Sequence, residues 1–231
     1  LKKKYNLFLH SRSNPDNSVS FNLHNRKEVD QFISENDISL IIHLASDVQA
    51  LRRKMERSGS DYIKNEKEMA MNLYSSLPKN SRLIYFSTAD EYSTNSFPLK
   101  ESASLRPINL YAKAKHETRE ALEAYSRNSN VGLIVLRPFL VYGPNLRKDM
   151  FISQLFESIK LDQTFTFSSK DIYRDFLHVY DLVKAVELIV ENTSITNVTY
   201  NIGTGVGTSL ISIIELVKDS ARINIKYKRV P

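Results

Sequence analysis

Short apolar runs alternate with amphipathic stretches along most of this chain. Residues 40–45, 83–86 and 132–136 are largely apolar runs of strand length with polar residues beyond their ends. A parallel strand buried on both faces reads this way, because it has no solvent face to keep polar. Between these runs lie stretches with the helical repeat. Residues 25–35 put Val29, Phe32 and Ile33 on one face, residues 60–77 read as a more polar helix, and residues 109–126 carry Tyr111, Lys115 and Leu122 at helical spacing. Residues 6–10 and 19–23 read as two more short strands, 151–159 and 209–219 as helices, and 223–230 as a strand-like end. Strands alternating with helices predict an α/β fold built on a doubly wound parallel sheet.

Open α/β sheets place their ligands at the carboxyl ends of the strands. The run 83–86 ends there in two hydroxyls, Ser87 and Thr88. The helix that follows carries Tyr111 and Lys115 at i, i+4, hence on one face. Tyr-x-x-x-Lys is a weak signal alone, and it recurs at Tyr180 and Lys184. Context separates the two, since only Tyr111 follows a strand that ends in hydroxyls.

Composition narrows the chemistry further. At 231 residues and 42% hydrophobic content the chain can bury a sizeable core. It has no Cys, which excludes disulfides, thiolate metal sites and Cys nucleophiles. No cluster has metal-ligand spacing, so no metal is expected. No apolar run approaches the ~20 residues of a membrane helix, and a cytoplasmic enzyme with no membrane partner is the expectation. The net charge of +6 favours anionic ligands. Nucleic acid is not expected: the densest basic cluster, Arg52-Arg53-Lys54, has no interleaved aromatics.

The strand ending in Ser87-Thr88, followed by Tyr111 and Lys115 on the next helix, resembles the extended short-chain dehydrogenase/reductase family. These are the NAD(P)-dependent nucleotide-sugar epimerases, dehydratases and reductases. Other segments carry the same resemblance. Ile41 to Ser46 is similar to the family segment that usually ends His-Leu-Ala-Ala. Arg137 to Pro144 is similar to its Leu-Arg-x-x-Asn-Val-Tyr-Gly-Pro, with Leu140 in place of the Asn. Arg174 to Asp181 matches its Arg-Asp-Phe-x-His-Val-x-Asp, and Tyr200 to Gly203 its Tyr-Asn-Ile-Gly turn. The likeness runs from residue 6 to about residue 218. It implies a Rossmann-like region over 1–148 and a small, mainly substrate-binding region over 149–231, interleaved with the first.

The resemblance also assigns roles. Thr88, Tyr111 and Lys115 become the catalytic residues, with Lys115 and Tyr111 also meeting the cofactor. Leu44, Ala45 and Ser46 form the turn that approaches the cofactor, and Pro138 and Leu140 line the nicotinamide pocket. Asn65 matches a helix Asn that supports the active-site lysine and water; an exposed helix Asn is the alternative reading. Arg174 would contact the substrate diphosphate, and Thr88 and Asp90 the sugar. The Asp residues of the 174–181 motif read as structural, capping the helix near Asp181, and His43 reads as a core histidine. At the second strand's tip, Arg12 stands where NADP-binding relatives hold the extra phosphate, so NADP is expected, with NAD possible. A plain surface Arg remains the alternative there.

Two departures from the family pattern matter. The dehydratases carry an acid pair after the Thr, but here those positions are Ala89 and Asp90, which argues against dehydration. A register slip would make Asp90 and Glu91 the pair instead. The glycine-rich cofactor turn is also not seen, since the first Gly is Gly59. The resemblance then implies that residues 6–10 are the family's second strand, with about 20–30 residues preceding Leu1. The expected function is a nucleotide-sugar epimerase or ketoreductase, with a second copy of the chain as the expected partner through the helices 60–77 and 109–126. A catalytically silent binding relative is the alternative.

Overall fold

The structure is a computed structural model that describes residues 4–11, 18–46, 59–92, 98–168 and 170–231. Its helices are α1 (Arg26–Glu35), α2 (Gly59–Ser76), α3 (Leu110–Ser126), α4 (Phe151–Lys160), α5 (Val179–Glu191) and α6 (Leu210–Ala221). Its strands are β1 (Leu40–His43), β2 (Arg82–Phe86), β3 (Gly132–Pro138), β4 (Leu140–Tyr142), β5 (Phe165–Ser168), β6 (Tyr173–Arg174), β7 (Phe176–His178), β8 (Val198–Ile202), β9 (Thr208–Ser209) and β10 (Tyr227–Val230). The chain divides into two compact units, and neither is one continuous stretch. The first holds Leu1–Ser93, Ser104–Arg137 and Glu187–Tyr200; the second holds Thr94–Ala103, Pro138–Val186 and Asn201–Pro231.

The first unit is built on a sheet in the order β1-β2-β3-β8. β1 pairs parallel with β2, and β2 with β3, so His43, Tyr85 and Val135 lie across from one another near the carboxyl ends. Leu83 and Tyr85 point to one face and pack with Ala70 and Tyr74 of α2 and Leu122 of α3. Ile84, Ile134 and Leu136, on the alternate face, are just as fully buried. A sheet covered on both faces explains why these strands carry no polar alternation. α2 and α3 lie against each other, and α1 packs Val29 and Ile33 onto Met69 and Leu73 of α2.

Capping residues fix where the helices begin. Asn25 accepts from the Lys27 N–H at the start of α1, and Asn109 from the Ala112 N–H at the start of α3, at 2.7 Å. Arg82 supplies a cap of the opposite kind. Its guanidinium donates to the carbonyls of Ile189, Val190 and Asn192, which end α5. These carbonyls have no partner within the helix, and a cation there also suits the helix dipole.

The expected strands 6–10 and 19–23 are corrected. They form one isolated parallel bridge, His10 with Val19, held by two backbone hydrogen bonds. Leu7 and Leu9 stay exposed, outside the buried core. Arg12 lies outside the described residues, as does Arg52-Arg53-Lys54.

In the second unit β4 pairs with β7 and β5 with β10, both parallel, and β6 with β9, antiparallel. Leu155 of α4 and Ile214 of α6 close over Phe165 and Phe167 of β5. Gly143 in the Val-Tyr-Gly-Pro segment has φ +153°, and a Cβ there would come within 2.5 Å of Val179. The motif's glycine is therefore demanded by the start of α5.

Candidate active site

The carboxyl end of β2 opens directly into the catalytic candidates. Thr88 is extended and caps a single 3-10 turn, Ala89–Glu91, its hydroxyl accepting from the Asp90 N–H at 3.2 Å. That turn packs against α3. One helical turn separates Tyr111 from Lys115, and the ammonium lies 5.9 Å from the Tyr111 ring centre. Lys115 is only 2% exposed, unusual for a residue that carries a charge. Tyr85 lies beneath it, with its ring centre 5.2 Å from the ammonium.

The anion that balances Lys115 is Glu66. Its Oε2 lies 3.5 Å from Nζ, and both side chains are buried. Ser46 donates to the same Oε2 at 2.9 Å, and the Tyr62 hydroxyl lies 3.3 Å from Ser46 Oγ. The resemblance put Asn65 in support of this lysine. The side chain that meets the lysine belongs to the next residue, because Glu66 shares the inward face of α2 with Tyr62, Met69 and Leu73, while Asn65 is half-buried beside it. The sequence held this signal: Glu66 interrupts an apolar stripe at helical spacing.

Charge in this pocket is set by burial. Burial pulls the Lys115 ammonium below its usual pKa, and the Glu66 carboxylate opposes that pull. Burial, then Glu66, pushes the Tyr85 phenol well above its usual value. Tyr85 therefore stays protonated and cannot serve as a base. His43 is lowered to about 3, by burial first and then by Lys115 and His10. It is a neutral core histidine, as its place in the apolar run suggested. Leu44 and Ala45, the next two residues, are exposed at the end of β1.

Glu91 is wholly buried and serves structure. Arg119 Nε donates to it at 2.9 Å, Arg137 at 3.5 Å and Ser87 through its hydroxyl, while His116 Nδ1 lies 3.2 Å away. Arg137 also donates to the Tyr92 hydroxyl at 3.0 Å. A carboxylate engaged on all sides cannot take a proton from a sugar. The register slip that would pair Asp90 with Glu91 is therefore disfavoured, and the exposed Asp90 stands alone after Thr88.

Pro138, Leu140 and Arg174 belong to the second unit. The Leu140 N–H donates to the Asp175 carbonyl, and the Phe139 N–H to the Ile202 carbonyl. Arg174 is half-buried on β6 and donates to the Tyr173 carbonyl at 2.8 Å. Asp175 is structural, but not as a cap for α5. Its carboxylate accepts from the Thr204 N–H and hydroxyl and from the Gly205 N–H, at 2.7 to 2.9 Å. A Cβ on Gly203 would come within 2.6 Å of that carboxylate and 2.7 Å of Phe139. The Arg-Asp-Phe and Tyr-Asn-Ile-Gly motifs are thus two halves of one clamp. Tyr180 is 67% exposed, in keeping with its reading as helix surface. A cleft of about 810 Å³ bordered by Tyr142, Gly143, Lys148, Phe156 and His178 contains none of the candidate residues. Among the described residues no His, Asp and Glu cluster could hold a metal ion, and no helix is long and apolar enough to cross a membrane.

The strand end with its hydroxyl and the helix that sets the Tyr111 phenol beside the buried Lys115 ammonium both lie in a stretch that a family model covers. Residues 1–203 match the model of the NAD dependent epimerase/dehydratase family, and the chain belongs to that family. It is 28% identical over 211 residues to the ADP-L-glycero-D-manno-heptose-6-epimerase of Brachyspira hyodysenteriae, covering 87% of this chain and 65% of that one. It is 24% identical over 185 residues to the uncharacterized UDP-glucose epimerase YtcB of Bacillus subtilis, covering 79% of this chain and 58% of that one. The chain therefore spans less than two thirds of the length of these relatives. The solved UDP-glucose 4-epimerase of Thermotoga maritima, with UDP-glucose bound, superposes with a TM-score of 0.82 at 20% identity. That match covers 100% of this chain and 80% of the other. The fold is accordingly the Rossmann-like one expected.

Glu91 offers a direct test of these assignments. Glu91→Gln leaves Arg119 and Arg137 buried around a neutral group, and losing one partner of a buried ion pair costs about 3–5 kcal/mol. Urea unfolding should show a loss of that size. Stability kept with all turnover abolished would instead make Glu91 a catalytic acid or base.

Proposed function

We propose that this chain acts in an epimerase or ketoreductase that moves a hydride and a proton at one sugar carbon of a nucleotide sugar. The observation that carries this reading is the buried Lys115 ammonium beside the Tyr111 ring, on the helix that follows the Thr88 strand end. A phenol ordinarily titrates near ~10 and is a weak base at neutral pH. A fixed ammonium one helical turn away favours the phenolate. Tyr111 then takes the proton of a sugar hydroxyl, or returns one to a ketone. The Thr88 hydroxyl orients the same oxygen, with Asp90 beside it. Lys115 also holds the ribose of the nicotinamide. The cofactor, when bound, accepts or returns the hydride. The Leu44-Ala45-Ser46 turn, Asn65, Pro138 and Leu140 complete its contacts in this reading. The names of the relatives, epimerases of UDP- and ADP-linked sugars, support the substrate class. The region 149–231 is read as mainly substrate-binding, and a second copy is proposed to pack on the outer faces of α2 and α3.

The proton-transfer role is tested by two tyrosines. In the holoenzyme, Tyr111→Phe keeps the ring and loses the proton relay, so turnover should fall at least about a hundredfold with melting temperature and ligand binding nearly unchanged. Tyr180→Phe should keep most activity. A Tyr111→Phe enzyme at near-native rate, or a Tyr180→Phe enzyme that is folded but inactive, would move the role to the other tyrosine and undo this mechanism; a holoenzyme that turns over no nucleotide sugar would instead favour a catalytically silent binding protein.

The two arginines should divide the ligands between them. We propose that Arg174 holds the substrate diphosphate and that Arg12 holds the extra phosphate of NADP, with NAD as the alternative cofactor. A charge-assisted contact contributes about 1.5–3 kcal/mol. Calorimetric titration of Arg174→Ala should therefore show nucleotide-sugar affinity down about tenfold or more, with cofactor affinity kept. Arg12→Asp should do the reverse, weakening NADP relative to NAD. Equal losses of both ligands in Arg174→Ala, or a native preference for NAD, would remove the respective assignment.

A further inference from the structure

Glu66 stands where α2 otherwise presents its buried face, among Tyr62, Met69, Ala70 and Leu73. A carboxylate in such a place needs an opposite charge and a donor, or it loses its charge. It has both. Lys115 Nζ lies 3.5 Å from its Oε2, and Ser46 donates to the same oxygen at 2.9 Å. The contacts run from the turn after β1, through Glu66, to the lysine one helical turn from Tyr111.

We infer that Glu66 is a positioning residue for the proposed reaction, its carboxylate keeping Lys115 a charged ammonium in a buried place and holding it beside Tyr111. This rests on the reading of Tyr111 and Lys115 as the acid–base couple. Among the described residues, the groups facing Lys115 are Glu66 from α2, Tyr85 from β2, His43 from β1 and Tyr111 from its own helix. Tyr85 is a protonated phenol and His43 a neutral imidazole. Glu66 is therefore the one carboxylate among these groups. An ammonium has three donors. One directed at Glu66 leaves two for a ribose hydroxyl and the Tyr111 oxygen. Glu66 thus fixes the lysine without using up its capacity to act.

The test is a pH titration of the chain carrying lysine labelled at the ε-carbon, followed by NMR, with the Lys115 signal assigned by Lys115→Met. Glu66→Gln should lower the Lys115 midpoint by about one pH unit or more, a tenfold change in the protonation equilibrium. Glu66→Asp draws the carboxylate back by one methylene and should give a smaller fall in the same direction. A merely space-filling Glu66 would leave the midpoint where it is in both variants, and that result overturns the inference. If Glu66→Gln does not fold, the Glu66→Asp midpoint decides alone: a fall supports the inference and an unmoved value overturns it. The readout needs no substrate. An active Lys115→Met holoenzyme would overturn the catalytic reading of Lys115 while leaving the titration result standing.

Discussion

Three basic side chains and a hydroxyl converge on the carboxylate of Glu91, which is fully buried. Ser87 comes from the end of β2, His116 and Arg119 from α3, and Arg137 from β3. This one buried anion ties together the strand end that carries Thr88 and the helix that carries Tyr111 and Lys115. A Coulomb interaction gains strength as water is excluded, but two guanidinium groups here require a partner if they are to remain buried. That constraint fixes α3 against the sheet, and the position of the candidate catalytic pair follows from it.

Lys115 faces the same problem one turn away and meets it with Glu66. Two buried ion pairs therefore flank the same helix. One holds the helix in place and the other sets the charge of the group that would tune Tyr111. The surrounding tyrosines divide by environment. Tyr85 is sealed beneath the ammonium and held protonated by burial, whereas Tyr111 is half-buried at the first turn of α3. Residue type alone would not separate them; solvent access does.

Much of this was legible in the sequence, for identifiable reasons. The apolar runs at 40–45, 83–86 and 132–136 correspond to β1, β2 and β3, because strands covered on both faces leave an unbroken signal. The helices with apolar stripes were equally plain. The strands 6–10 and 19–23 misled because apolar content at Leu7 and Leu9 does not by itself supply a neighbour to pair with. β4, β6, β7 and β9 are two or three residues long, too short for periodicity to register. In the candidate site, Thr88, Tyr111 and Lys115 emerged from order along the chain. Glu91 did not, since its partners Arg119 and Arg137 are distant in sequence. Asp175 was read as structural but as a helix cap, because its true partner, the Gly203–Gly205 turn, lies some thirty residues away.

In the proposed reaction hydride leaves a sugar carbon of a nucleotide sugar while this chain's residues carry the accompanying proton. Its most direct test is the near-ultraviolet absorbance of reduced nicotinamide, followed after a saturating UDP- or ADP-sugar is mixed with the holoenzyme carrying oxidised cofactor. That absorbance should rise, transiently for an epimerase and lastingly for a reductase run in reverse, with at least one of these sugars. Conversion of a sugar at full rate with the cofactor remaining oxidised throughout would contradict it.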